Sequence, residues 1–377
     1  MMATPHRHTF KIAVAAFVSI AVLFAAAVDA KPRKKKTQQN PAAERSVVLD
    51  VGLSITYDDN IINYSDADLD LFDSSGAQGK FSIKSKDDWI IVPRINPRFT
   101  GKFLAGRPGW LDLGFGYFAY ASNDVRRYSR ISLSARQYFT SRLYGEASYA
   151  FIPSYYYRNY QVGTDDLGAA IYAEAKFAKH MISAETGYEL TRTLTATAAY
   201  KFQHKSYNSE FEFRDLDGHG FELGGTWRPA KPIGFWAAYG FERASAKGAD
   251  MADSVLDVSY DSWDMLSGAR HYMSILDAIR PELSASFEIR NIKYQNDRLP
   301  QIYYFGREDF NYYAKAGLSG RLPYRVRGTV EYAFVQKKAE LPDIYPDPGR
   351  VSQTTAELER KINYKSNSIT IRFTRRF

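Results

Sequence analysis

Asn367 to Phe377 reads Asn-Ser-Ile-Thr-Ile-Arg-Phe-Thr-Arg-Arg-Phe. Ile369, Ile371, Phe373 and Phe377 share one parity; Thr370, Arg372, Thr374 and Arg376 share the other. Successive side chains of a strand point to opposite faces, so this segment is a strand with one apolar face and one basic, polar face. Arg375 breaks the apolar parity, and at the edge of an apolar band its long stem can carry the charge out to water.

The same alternation recurs upstream. Leu49, Val51, Leu53, Ile55 and Tyr57 alternate with Asp50, Gly52, Ser54 and Thr56. Read by period and by turn signals, the chain holds strands over 47–57, 88–103, 110–121, 127–139, 143–154, 166–190 and 194–207. Further strands follow over 218–228, 234–243, 254–274, 281–294, 308–322, 325–337 and 365–377. The two longest runs either project above a membrane or hide a break, at Ala178-Lys179-His180 or at Gly268-Ala269. Short connections (105–109, 140–142, 191–193, 228–233, 322–324) alternate with long ones (58–87, 155–165, 208–217, 244–253, 295–307, 338–364). No helical segment is evident to cover the apolar faces. These features predict an all-β fold, a single transmembrane antiparallel up-and-down β-barrel of about 14 strands (12–16), with tight periplasmic turns opposite long external loops.

Composition agrees with that reading. The 377 residues are 15% aromatic, with 28 Tyr and 24 Phe, types that favour strands and membrane interfaces. The chain has no Cys, which excludes disulfides and thiolate metal sites. Arg7 and Lys11, the apolar run Ile12 to Val28, and Val28-Asp29-Ala30 read as a cleaved signal peptide over 1–30. The rival reading is an uncleaved anchor helix, for which the stretch is short. Residues 31–46 form a basic, disordered periplasmic tail, and 47–377 the barrel. The net charge of +8 owes much to Lys31, Arg33, Lys34, Lys35 and Lys36 in that tail, so it does not imply a nucleic-acid partner.

The terminal strand resembles the closing strand of outer-membrane barrels. That resemblance implies that Phe377 is the assembly signal read by the barrel-assembly machinery. Tyr57-Asp58-Asp59-Asn60-Ile61, the acidic loop after it, Asp87-Asp88-Trp89-Ile90-Ile91-Val92-Pro93 and the closing Asn363-Tyr364-Lys365-Ser366-Asn367-Ser368 are similar to outer-membrane barrels associated with exopolysaccharide synthesis and export. The likeness covers the two ends of the barrel, and the middle only through strand pattern. It implies polysaccharide as cargo, with a periplasmic export partner. No superhelical repeat domain precedes the barrel, unlike some exporters.

The alternation places Arg94, Asn96, Arg98, Thr100 and Lys102, together with Arg372, Arg376, Arg325 and Arg327, on one basic wall of the lumen. Such a wall favours anions. The alternative is a salt-bridge network with Asp50, Asp112, Glu282, Glu288 and Glu331. Tyr155, Tyr156, Tyr157, Tyr160, Tyr303, Tyr304 and Tyr345 read as external-loop aromatics, suited either to sugar rings or to the interfacial girdle. Asp66, Asp68 and Asp70 are a weak calcium candidate; a solvated acidic loop, or one bridged to lipopolysaccharide through divalent ions, is the plainer reading. His219, in Asp215-Leu216-Asp217-Gly218-His219-Gly220, reads as part of a turn, and the scattered histidines have no catalytic or metal-ligand spacing. The expected protein is therefore a non-enzymatic outer-membrane channel without cofactor or metal, touching membrane lipid and lipopolysaccharide. A general small-solute porin, and a surface adhesin or sheath for a partner protein, are the alternatives.

Overall fold

A strand that is apolar on one face and polar on the other is stable in lipid only if its backbone groups are all paired and its sheet has no free edge. The computed structural model describes residues 46–74, 79–250, 257–273, 279–296, 304–342 and 355–377, and meets that requirement. The predicted leader, and the tail as far as residue 45, lie outside the described residues. The first strands are β1 (Ser46–Asp58), β2 (Asp88–Lys102), β3 (Pro108–Tyr120), β4 (Tyr128–Tyr138), β5 (Leu143–Thr164), β6 (Ala170–Glu189) and β7 (Leu194–Tyr207). They continue with β8 (Leu216–Ala230), β9 (Ile233–Ala246), β10 (Tyr260–Tyr272), β11 (Glu282–Tyr294), β12 (Glu308–Leu322), β13 (Val326–Glu340) and β14 (Tyr364–Arg376). Each pairs antiparallel with its sequence neighbours, and β1 pairs with β14 to close the barrel. At the seam Asp50 faces Arg376 and Ile55 faces Ile371, while Leu49 and Phe377 exchange backbone hydrogen bonds of 2.9 and 3.3 Å. Neither long run breaks at Ala178-Lys179-His180 or Gly268-Ala269, but the tenth is shorter than expected: β10 begins at Tyr260, and residues 257–259 before it are not strand.

Tight turns, the start of β1 and the end of β14 occupy one end of the barrel. The β2–β3 and β12–β13 turns use left-handed backbone at Ala105, Gly106, Tyr324 and Arg325. Longer connections occupy the other end. One departure from expectation concerns residues 155–165, read as a loop. β5 runs on to Thr164 through three register shifts against β6, and only Asp165–Ala169 turns the chain. Bulges break the period of two, which is why the sequence loses its strand signature there. The turn itself is held by Asp165, whose carboxylate accepts from the Leu167 and Ala169 amides, and by Gly168 at φ +81°.

The outer surface is apolar. Phe221 and Leu223 are 63% and 67% exposed, and Leu53, Ile95, Phe115, Leu133, Met265, Phe287 and Ile371 share that outward parity around the barrel. Apolar area on this scale is unstable against water and stable against hydrocarbon. Tyr57, Trp89 and Tyr117 flank the band at the loop end; Tyr188, Trp227 and Phe235 flank it at the turn end.

The β1–β2 connection is not a simple solvated loop. Ser65 caps α1 (Asp66–Asp73) by accepting from the Asp68 amide. Ile61, Ile62, Tyr64 and Ile83 are buried with Tyr120 and Tyr156, and Leu69, Phe72, Phe81, Ile90, Phe118 and Tyr128 pack on this cluster. Ile90, Phe118, Tyr120 and Tyr128 have inward parity, so the connection is seated in the mouth of the barrel. Arg126 pins it, donating to the carbonyls of Ile61 and Tyr156, each at 2.8 Å, and to the Tyr155 hydroxyl at 2.9 Å. Buried Asp88 accepts from the amides of Ser122 and Asn123, whose side-chain oxygen accepts from the Lys84 amide. Nearby, the Ser85 and Tyr57 hydroxyls hold the Asp87 carboxyl below the usual carboxylate range.

Arg126→Ala removes the donors for two buried carbonyls, at a local cost of about 1–3 kcal/mol. The expected outcome is amide exchange over 59–73 accelerated by roughly tenfold or more, with the β1–β14 amides unchanged.

Candidate functional site

The register sets which charges face inward. Arg94 and Arg98 on β2 lie on the parity opposite to Ile91, Ile95 and Phe99, and Arg372 and Arg376 on the parity opposite to Ile369, Ile371 and Phe373. β1, between them, adds Asp50, Gly52 and Ser54. Of these, Arg94, Arg98, Arg372, Asp50, Gly52 and Ser54, with Asn96, Asp112 and Thr374, line a cavity of about 290 Å³, and Arg376 stands beside it on the same wall.

Two of its arginines are neutralised. Arg98 forms a bidentate pair with Asp112, its Nε at 2.6 Å, and rests 4.8 Å from the Trp110 ring centroid. Arg376 pairs bidentately with Asp50 at 2.8 Å. The other two are not. Arg94 lies 5.8 Å from the Phe118 ring centroid, and Arg372 keeps a buried Nε with no hydrogen-bond partner. Arg130 on β4 adds a third like charge beside Arg94. Among the described residues, no carboxylate forms an ion pair with Arg94, Arg130 or Arg372.

The opposite wall carries the other sign. In the ring of strands β8, β9 and β10 stand diametrically across from β1, β2 and β3. Their inward carboxylates include Glu222, paired with Lys201, and Glu242, which accepts from Tyr260, Gln203 and Arg290. Asp264 on β10 and Glu288 on β11 have no ion pair among the described residues. Arg94 and Asp264 each sit eight residues from the turn end of their strands, so unpaired charges of opposite sign face each other at matching height.

Other expected residues fall differently. Arg327 faces inward and bonds Glu282 and Ser319, joining the paired network, whereas Lys102 is exposed at the turn-end rim. Arg325 is not on a strand face: it closes the β12–β13 turn with φ +60°. Its parity was extrapolated past the true start of β13.

Tyr155, Tyr156, Tyr157 and Tyr160 lie on β5 rather than in a loop. Tyr155 packs on Tyr128 and Phe177, and Tyr156 is buried in the cluster of the β1–β2 connection. Tyr303 and Tyr345 lie outside the described residues. Asp66, Asp68 and Asp70 are on α1, where residues two apart do not face one another. Asp68 pairs with Lys80 at 2.6 Å, and Asp70 with Arg360 of α2 (Thr355–Arg360) at 2.7 Å, so they do not converge on one metal. His219 is on β8, not in a turn; its Nδ1 lies 2.7 Å from the Tyr200 hydroxyl on the outward face. His204 and Asp217 pair at 2.7 Å on that face, away from the lumen.

A second inward group has no local signature in the sequence. Asp309 on β12 is fully buried between Arg307 and Lys337 of β13, at 2.6 and 2.7 Å. Arg307 is 4.6 Å from the Tyr294 ring centroid. Arg214, in the 3-10 segment between β7 and β8, lies 4.2 Å from the Tyr160 ring centroid and donates to the Tyr304 hydroxyl at 3.2 Å. Arg158 stands 5.1 and 5.4 Å from the rings of Tyr157 and Tyr64. These contacts span the lumen at the loop end, because β5 and β12 are diametrically opposed.

A closed antiparallel barrel with an apolar outer band, two aromatic belts and a charged interior defines an outer-membrane β-barrel. The chain is one, and its place is the cell outer membrane. No protein-family model matches the sequence, and no curated protein matches it. Among solved structures, it is similar to an anion-selective porin from Comamonas acidovorans, with 11% identity, 89% of this chain and 100% of that chain covered, and a TM-score of 0.42. It is also similar to the Ralstonia pickettii toluene transporter TbuX, with 11% identity, 88% and 89% covered, and 0.43. A bacterial polysaccharide outer membrane secretin aligns with 10% identity, 87% and 98% covered, and 0.38. At this level of likeness nothing about function transfers.

Removing one partner of a buried ion pair leaves an uncompensated charge, which costs about 3–5 kcal/mol. Asp309→Asn is therefore expected to lower the urea midpoint of the folded barrel clearly, whereas Asp70→Asn, in an exposed pair, leaves it within error.

Proposed function

We propose that this barrel is an outer-membrane channel that favours anionic solutes. The observation that carries the reading is Arg94 and Arg372 in a wall cavity, without ion pairs among the described residues, with Asp264, likewise without one, on the far side of the lumen from Arg94. Side chains placed this way lower the electrostatic barrier for an anion along one wall and orient a dipolar solute across the lumen. The Arg98–Asp112 and Arg376–Asp50 pairs hold their strands and contribute little net field, so the paired network and the basic pathway are the work of different arginines.

Acidic surface polysaccharide is the cargo we favour among anions, on the resemblance of both barrel ends to exopolysaccharide-associated barrels. Reactive groups are not needed for this role: the inward side chains bind and sort charge. Phe377, hydrogen-bonded to Leu49 at the seam with its ring beside Arg375, is suited to the assembly-signal role.

In a planar bilayer under a potassium chloride gradient, the reversal potential is expected to show preference for chloride. Arg94→Glu with Arg372→Glu should move it toward potassium. Potassium preference in the unaltered protein would contradict the reading. Absence of any conductance would favour the sheath or adhesin alternative.

A further inference from the structure

We propose that the external half of the lumen contains a binding site for an acidic saccharide, held between Arg158 and Arg214 and the rings of Tyr157, Tyr160 and Tyr304. This site is separate from the Arg94–Arg372 wall and does not depend on conduction.

The argument begins with charge. Among the described residues the Arg158 side chain has no hydrogen bond and no ion pair, and its Nε is buried without a partner. Arg214 likewise has a buried, unpartnered Nε; among the described residues its side chain donates to the Tyr304 hydroxyl and forms no ion pair. Both guanidiniums act electrostatically on Tyr157 and on Tyr160, which places them in one chamber. Arg307 and Lys337 lie in the same region, each paired with Asp309, and leave Arg158 and Arg214 as the cations to be matched. Desolvated cations in excess over anions are costly unless a counter-charge enters. A carboxylate or phosphate can accept two parallel bonds from each planar guanidinium.

Shape and surroundings select the rest of the ligand. These side chains retain accessible surface although protein surrounds them, as groups lining an internal chamber do. Arg214 lies over the Tyr160 ring, and Tyr304 completes the far side. Aromatic faces bordered by phenol hydroxyls suit a pyranose, which stacks its C–H face and hydrogen-bonds its rim. A small inorganic anion satisfies the charge and leaves the rings unused. An anionic sugar residue uses both.

The test is calorimetric titration of the full-length protein, folded in detergent, with three probes: an oligogalacturonate, a neutral maltooligosaccharide of equal length, and inorganic phosphate. The oligogalacturonate is expected to bind at least about tenfold more tightly than either of the others. Its affinity should fall as sodium chloride rises, because chloride competes for the guanidiniums. Arg158→Gln with Arg214→Gln should weaken it by about tenfold or more, while Lys231→Gln in a periplasmic turn leaves it unchanged. Heat-modified gel migration shows that each variant retains its barrel. If the double variant does not fold, the probe ranking and the salt dependence of the unaltered protein still decide. Equal binding of the neutral oligosaccharide, equal binding of phosphate, or affinity unaltered in a folded double variant would each overturn the proposal.

Discussion

Closure of the sheet between β1 and β14 is the constraint on which the rest depends. In hydrocarbon an unpaired amide or carbonyl has no water to bond, so a membrane sheet survives only without edges. Asp50–Asp58 on β1 pair with Ser368–Arg376 on β14, and the Phe377 backbone continues the ladder to Leu49. The same closure sets the interior. It brings Arg372 and Arg376 from the end of the chain beside Arg94 and Arg98 from near its start, and a charged wall appears that neither segment has alone.

Inside the barrel, charge is arranged at two levels. Toward the turn end, paired arginines brace the β14–β3 wall, while Arg94, Arg130 and Arg372 keep their charge for the lumen. Asp264 answers from the far side. Toward the loop end, the β1–β2 connection packs its isoleucines and phenylalanines onto inward aromatics and narrows the mouth. Beside that plug stands the tyrosine and arginine chamber. From the loop end, the seated β1–β2 connection and the arginine and tyrosine group therefore come before the basic wall.

Much of this was legible in the sequence, for a physical reason. Period-two alternation is a direct consequence of lipid outside and water inside, so all fourteen strands among the described residues were readable, most within two or three residues of their ends. The signal failed where the backbone departs from that period. Bulges in β5 disguised Tyr155–Thr164 as a loop, and Gly218 and Gly220, set against the inward side chains of Gln203 and Glu242, disguised the start of β8 as a turn. The apolar face of the β1–β2 connection was hidden by its aspartates, which point away from the cluster. The chamber was not legible at all. Arg158, Arg214, Arg307 and Lys337 are far apart in the chain, and only the circular strand order brings them together. Arg94, Arg98, Arg372 and Arg376 were legible because parity alone sends them inward; which of them lack partners was not.

The measurement that tests the closed barrel most directly uses the absence of native cysteine. Single cysteines placed in turn from Ile369 to Thr374 on β14 and from Val51 to Thr56 on β1 would be exposed to a water-soluble maleimide in liposomes. Closure predicts alternating reactivity on both strands: Thr370, Arg372, Thr374, Gly52 and Thr56 positions labelled, Ser54 shielded by its burial in the wall, and the outward positions between them protected by lipid. Uniform labelling along either strand, or protection at the Gly52 and Thr374 positions that face each other across the seam, would contradict it.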